Sequence, residues 1–66
     1  MPYVNVKIGG SLTRDQKERL SRAITQALEE IAGKPRDDTY VTFDEYGYEN
    51  WGVGDHLLDE IKGLRK

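Results

Sequence analysis

Sixty-six residues, 36% of them apolar, carry ten basic against twelve acidic side chains for a net charge of −2, with no cysteine and a single histidine, His56. One domain over residues 1–66 follows, disulfides are excluded and a zinc site lacks ligands; because so short a chain buries only about 60% of its unfolded surface, oligomerisation is the support left to its core. The charge balance offers no footprint for nucleic acid, no apolar run nears the ~20 residues that cross a bilayer and the amino terminus lacks signal-peptide regions, so a cytoplasmic protein without nucleic-acid or membrane partner, cofactor or metal is expected.

From Tyr3 to Ile8 the chain alternates, Val4, Val6 and Ile8 against Tyr3, Asn5 and Lys7, which is the period of a half-buried strand. Pro2 stands at the head of this strand, where its missing N–H costs no ladder bond. Small residues in second place, proline included, permit excision of the initiator, and removal of Met1 makes Pro2 a free secondary amine. Such an amine is a base and nucleophile that a strand aims in a fixed direction. Gly9-Gly10 ends the strand. Thr13 is placed to cap a helix with Gln16 as its capping-box partner, so the helix starts near Arg14. Leu20, Ile24, Ala27, Leu28 and Ile31 then form one apolar stripe of 3.6-residue period, and Gly33 with Pro35 stops the helix near Ala32.

Arg36-Asp37-Asp38 reads as a polar loop. From Thr39 alternation returns, with Val41 and Phe43 on one face and Tyr40, Thr42, Asp44 and Tyr46 on the other. Strand, helix and strand with short links make one βαβ unit with parallel strands and a right-handed crossover, and Val4, Val6, Ile8, Val41 and Phe43 face the helix. The opposite face, with Tyr3, Tyr40, Thr42 and Tyr46, is too amphipathic for plain solvent, and two strands are too few to stand alone, so it is expected to meet other subunits. Asp44 and Glu45 read as solvated charges at a strand end, and His56 as a surface residue. The run from Gly47 to Gly54, with Trp51 and Val53 among glycines, suggests a hairpin or an arm onto a neighbour. Asp55 is expected to cap a last short helix whose stripe is Leu57, Leu58, Ile61 and Leu64.

Taken in register, Pro2-Tyr3-Val4-Asn5-Val6-Lys7-Ile8, Asp15-Gln16-Lys17, Pro35, Val41-Thr42-Phe43-Asp44-Glu45 and Asn50-Trp51-Gly52-Val53-Gly54 resemble the short 4-oxalocrotonate tautomerase family of the tautomerase superfamily, over almost the whole chain. The resemblance implies an α/β (α+β) fold: a single βαβ unit with a C-terminal hairpin arm and a short terminal helix. Two such units join into a four-stranded sheet with both helices on one face, and three dimers make a homohexamer. It also implies that Pro2, once Met1 is gone, is the general base that moves a proton between an enol and a carbon, with no cofactor. Trp51 matches the family's aromatic hairpin position and supplies an apolar wall. The family's two substrate-holding arginines fall at Leu12 and Tyr40 here, which resembles a subgroup lacking them; Arg14 and Arg36, near but out of register, are the candidate replacements. The bulky aliphatic usual after the first strand is Gly9, and the hairpin's usual second glycine is Asp55. The candidate substrate-binding residues are thus Trp51, Tyr40, Asp38, Arg14 and Arg36, and Pro2 is the catalytic one. The activity implied is enol–keto tautomerisation of small 2-hydroxydienoate or phenylpyruvate-like acids. The alternatives are a Pro2-dependent lyase or hydratase on the same scaffold and a non-catalytic oligomeric module that binds a small ligand.

Overall fold

Strand β1, Tyr3–Gly9, lies parallel to β2, Tyr40–Tyr46, in an unbroken register from Tyr3↔Tyr40 to Gly9↔Tyr46. Helix α1, Arg14–Ala32, connects them and completes the βαβ unit. The computed structural model describes residues 1–61. Parallel pairing puts the starts of both strands at one end of the sheet and their finishes at the other, and this polarity decides where each candidate residue falls.

The helix begins and ends where its punctuation places it. Thr13 Oγ1 accepts the Gln16 N–H at 3.1 Å while Gln16 Oε1 accepts the Thr13 N–H at 2.9 Å, a complete capping box. At the far end Gly33 adopts φ 69°, the left-handed conformation that glycine enters without a steric penalty, and its N–H reaches the Glu29 carbonyl at 3.1 Å. Arg36–Asp38, read from sequence as a loop, tightens into one 3-10 turn that delivers the chain to β2.

Val4, Val6, Ile8, Val41 and Phe43 are half-buried, as are Ile24 and Leu28 of the helix stripe. Two strands do not cover the whole stripe: Ile31 stays 86% exposed, and an open groove of about 300 Å³ runs between Val4 and Ile24, Ala27, Leu28 and Ile31. The opposite sheet face carries a polar ladder. Tyr3 Oη and Thr42 Oγ1 are 2.9 Å apart, Asn5 Nδ2 donates to Thr42 Oγ1 at 2.8 Å and to Asp44 Oδ2 at 3.2 Å, and Lys7 Nζ donates to the same Asp44 oxygen at 3.0 Å.

Past β2, a 3-10 turn at Tyr48–Asn50 leads to a small hairpin of β3, Gly52–Val53, and β4, His56–Leu57. This differs from the helix cap expected at Asp55. Gly54, at φ 61°, turns the chain back on itself, so Asp55 is the second residue of a two-residue hairpin loop and His56 and Leu57 pair before any helix can start. Among the described residues the expected terminal helix is represented by a single 3-10 turn, Leu58–Glu60, opened at Leu57, whose N–H donates to Glu60 Oε1 at 2.8 Å. Leu64, expected on its stripe, lies outside the described residues.

No described side chain is fully buried, and the radius of gyration is 14.9 Å. A compact chain of this length has a radius of about 11 Å, so the single chain is elongated around a core it does not close. No described helix is long and apolar enough to cross a membrane.

Candidate active site

Pro2 continues the ladder beyond β1: its carbonyl accepts the Tyr40 N–H at 2.9 Å, which ties the head of one strand to the head of the other. Pro2 is half-buried, whereas Met1 before it is 84% exposed. With Met1 attached the Pro2 nitrogen is an amide, its lone pair delocalised into the carbonyl, and neither base nor nucleophile. The strand's alternation puts Pro2 on the helix side with Val4. Tyr40, 55% exposed, Asp38 and Arg36 belong to the same end of the sheet.

Arg36 is held from the helix. Glu29 Oε1 takes the Arg36 Nε–H at 2.8 Å and Glu29 Oε2 its backbone N–H at 3.4 Å, and these bonds keep the Glu29 carboxyl below the ordinary carboxylate range.

Trp51 and Arg14 are at the other end. Trp51 packs edge-on against Tyr46, ring centres 5.6 Å apart and planes at 87°, and lines a cleft of about 280 Å³ with Lys7, Tyr46, Asn50 and Gly52. β1 is seven residues long, so at about 3.3 Å per residue Trp51 stands roughly 20 Å from Pro2 of its own chain. Arg14 opens α1 just past this end, and its guanidinium is paired with Glu18 in the next turn. Within one chain, therefore, the structure brings Pro2, Asp38, Tyr40 and Arg36 to one end and leaves Trp51 and Arg14 at the other.

Two acidic residues read as solvated charges have definite partners at the Trp51 end. Glu45 accepts the Leu12 N–H at 2.7 Å and Lys17 Nζ at 2.6 Å, so one carboxylate pins the loop after β1 and the first turn of α1 to the end of β2. The Lys17 hydrogen bond, then the Leu12 N–H, hold its pKa below the ordinary value. Asp44 is likewise lowered, first by Lys7 and then by Asn5, and Lys7 is raised, first by Asp44 and then by Tyr46, over whose ring its ammonium lies at 5.9 Å. Sequence reasoning missed the Glu45 links because they join residues 33 and 28 positions apart; for Lys7 and Asp44, direct partners in the strand register, their opposite charge was the available signal. No group of three or more His, Asp or Glu side chains suited to a metal ion occurs among the described residues.

With a proline heading a parallel βαβ unit and an aromatic hairpin at the far end of the strand, comparison with known families is decisive. The sequence model of the family described as "Tautomerase enzyme" matches residues 2–61. The chain belongs to the tautomerase family. Among similar proteins, this tautomerase is 38% identical over 61 residues to a probable tautomerase K2 of Dickeya dadantii, with 91% of each chain covered. In structure it is similar to DmpI of Helicobacter pylori, with a TM-score of 0.85, 21% identity and coverage of 97% of this chain and 100% of that one. It is also similar to a heterohexameric 4-oxalocrotonate tautomerase from Chloroflexus aurantiacus, with a TM-score of 0.82, 21% identity and coverage of 94% and 100%. The family match and the named relative make the tautomerase an isomerase, and the structural likenesses show that its fold is theirs.

Proposed function

We propose that this tautomerase interconverts the enol and keto forms of small 2-hydroxydienoate or phenylpyruvate-like acids, with Pro2 as general base once Met1 has been removed. One observation carries the reading: Pro2 heads a strand locked to its neighbour through the Tyr40 N–H, so a nitrogen freed by excision has a fixed direction. A secondary amine takes the proton from the enol hydroxyl or from the carbon beside the carbonyl and returns it at another carbon of the conjugated system. An apolar wall and a nearby cation both disfavour its protonated form and bring it toward the working pH. Trp51 supplies that wall from a neighbouring subunit, since in its own chain it belongs to the opposite end. Tyr40 and Asp38 border the Pro2 end, where the Tyr40 hydroxyl donates to a substrate oxygen and the Asp38 carboxylate accepts from the enol O–H.

The working unit in this reading is a homo-oligomer, a hexamer built as three dimers in which two βαβ units share a four-stranded sheet. The absence of any fully buried side chain among the described residues supports it, as do the exposures of Tyr3 at 65%, Val53 at 56% and Ile31 at 86%. Faces of this kind are covered in stable proteins.

The test begins with intact mass, which reports whether Met1 is gone, followed by a panel of enol and dienol acids monitored by ultraviolet absorbance. Processed protein is expected to accelerate ketonisation, and Pro2→Ala to lose the acceleration. Equal specific activity in a fully Met1-capped preparation rules out the amine mechanism. A wild-type preparation that adds water to the panel substrates or cleaves them, again dependent on Pro2, assigns a lyase or hydratase instead.

A further inference from the structure

We propose that Glu29 is a positioning residue that presents the guanidinium of Arg36 as the anchor for a single substrate carboxylate beside Pro2. The proposal rests on the Pro2 tautomerase reading and adds to it the residue pair that holds the acid and the class of acid held, a monocarboxylate.

Location comes first. Arg36 opens the turn before β2; its carbonyl accepts the Thr39 N–H at 3.1 Å, and the next residue, Tyr40, donates to the Pro2 carbonyl at 2.9 Å. Two backbone hydrogen bonds on adjacent residues thus fix Arg36 relative to Pro2. Glu29 belongs to α1, so the pair draws the guanidinium toward the helix side of the sheet, the side to which alternation assigns Pro2. The cations Lys7, Arg14 and Lys17 belong to the opposite end and are each engaged there, with Asp44, Glu18 and Glu45.

The donor geometry is the second argument. Glu29 occupies the Arg36 Nε–H and the Arg36 backbone N–H, which fixes the plane and the direction of the side chain. Neither terminal guanidinium nitrogen has a partner among the described residues, so the edge formed by Nη1 and Nη2 remains, two parallel N–H groups that fit the two oxygens of one carboxylate. The pair is partly exposed, side chains 45% and 43%, and an incoming acid can reach it. Glu29 offsets part of the positive charge, so what Arg36 offers is directional hydrogen bonding more than long-range attraction. A lysine does not reproduce that. Among the described residues Arg36 is the arginine at this end of the sheet; Lys34, two residues before it, brings an ammonium without the planar fork, so one carboxylate finds a bidentate partner here.

The test compares the enol of an arylpyruvate with the enol of its methyl ester, which has the same reacting atoms and no carboxylate. The readout is the ratio of kcat/KM for the acid to that for the ester. Arg36→Ala is expected to lower this ratio roughly tenfold to a hundredfold, the value of a charge-assisted hydrogen bond. Arg36→Lys should fall between Ala and wild type, and Glu29→Gln should lower the ratio several-fold. The double variant should lose no more than Arg36→Ala, because Glu29 acts through Arg36. An unchanged ratio in Arg36→Ala and Arg36→Lys, whether or not both rates fall, overturns the proposal, and so does additivity of the two losses. Pro2→Ala, which should abolish turnover of acid and ester alike, tests the tautomerase reading separately. If wild type turns over neither, calorimetric titration of phenylacetate into wild type and Arg36→Ala still decides the anchor: weaker binding to the variant sustains it and equal affinity refutes it.

Discussion

Alanine at Gly9 and alanine at Gly10 should have different consequences, although the two residues are neighbours at the end of β1. A Cβ on Gly9 stands 2.8 Å from Leu58 Cδ1, 3.6 Å from Tyr48 Cε1 and 3.7 Å from Trp51 Cε3. Only the first distance is a clash, and its atom is the tip of a flexible leucine that can rotate away. Overpacking against fixed neighbours costs about 1–3 kcal/mol, while alanine recovers about 0.4–1 kcal/mol by restricting the unfolded chain, so Gly9→Ala should change stability by about 1 kcal/mol or less. Gly10 is different. It adopts φ 102°, a region L-residues rarely enter, its N–H is fixed by the Tyr46 carbonyl at 2.7 Å, and a Cβ there meets Tyr48 Cε1 at 3.2 Å. Backbone strain of about 1–3 kcal/mol adds to crowding against the ring, and Gly10→Ala should lose about 2–4 kcal/mol. Urea unfolding at one fixed protein concentration measures both, since linked dissociation makes the midpoint concentration-dependent. A Gly9→Ala variant as unstable as Gly10→Ala would show that Leu58 is not free to move and that this end of the strand is packed more rigidly than the contacts indicate.

Trp51→Ala removes an edge-to-face partner of Tyr46, an interaction of about 0.5–1.5 kcal/mol beyond area burial, and should weaken both assembly and ketonisation; unchanged mass by light scattering and unchanged rate would clear Trp51 of both roles. Stability should decline in acid. Asp44, Glu45 and Glu29 have lowered pKa values, so their pairs contribute above the ordinary carboxylate range and are lost as the pH falls through their lower folded values, whereas Lys7, raised, loses its contribution only as the pH rises past the ordinary lysine range. Glu45→Gln should flatten the acid limb of a melting-temperature profile, and an unchanged limb would contradict the assignment. Activity on 2-hydroxymuconate-type dicarboxylates should be low and should rise in Tyr40→Arg, which supplies a second guanidinium; no gain in kcat/KM would show that the second carboxylate is not bound at that position.

The parts of this molecule legible in its sequence are those governed by neighbours along the chain. Thr13 with Gln16, Gly33 with Pro35, and the two alternating runs marked the helix and strands because capping and periodicity are local physics. The tail was misread for a related reason. Leu57, Leu58 and Ile61 carry a helical spacing, but Gly54 at φ 61° sends His56-Leu57 back along Gly52-Val53, and strand pairing takes the residues the helix needed. The parallel strands expected of a βαβ unit already put Pro2, Tyr40, Asp38 and Arg36 toward one end of the sheet; what the sequence did not carry is the register that sets Tyr3 opposite Tyr40. Glu29 carried no signal at all: one more acidic residue on the exposed face of a helix, it gains a role from Arg36 across a helix end and a turn.

The same polarity makes assembly and chemistry one question. On the proposed reading the base and the carboxylate anchor occur where the strands begin, and the aromatic wall where they finish, roughly 20 Å away on a seven-residue strand. No side chain spans that distance, and the Trp51 arm already rests on its own strand end against Tyr46. In the proposed dimer a two-fold axis would resolve the mismatch: pairing two sheets edge to edge in antiparallel sense sets the start of one chain beside the finish of the other, twice. Such pairing also covers an edge that a two-stranded sheet leaves open and extends a layer over which the uncovered stripe of α1, Ile31 included, can close. Subunit contact and substrate pocket would then draw on the same residues, and a chain without a closed core of its own would gain a site with fixed geometry.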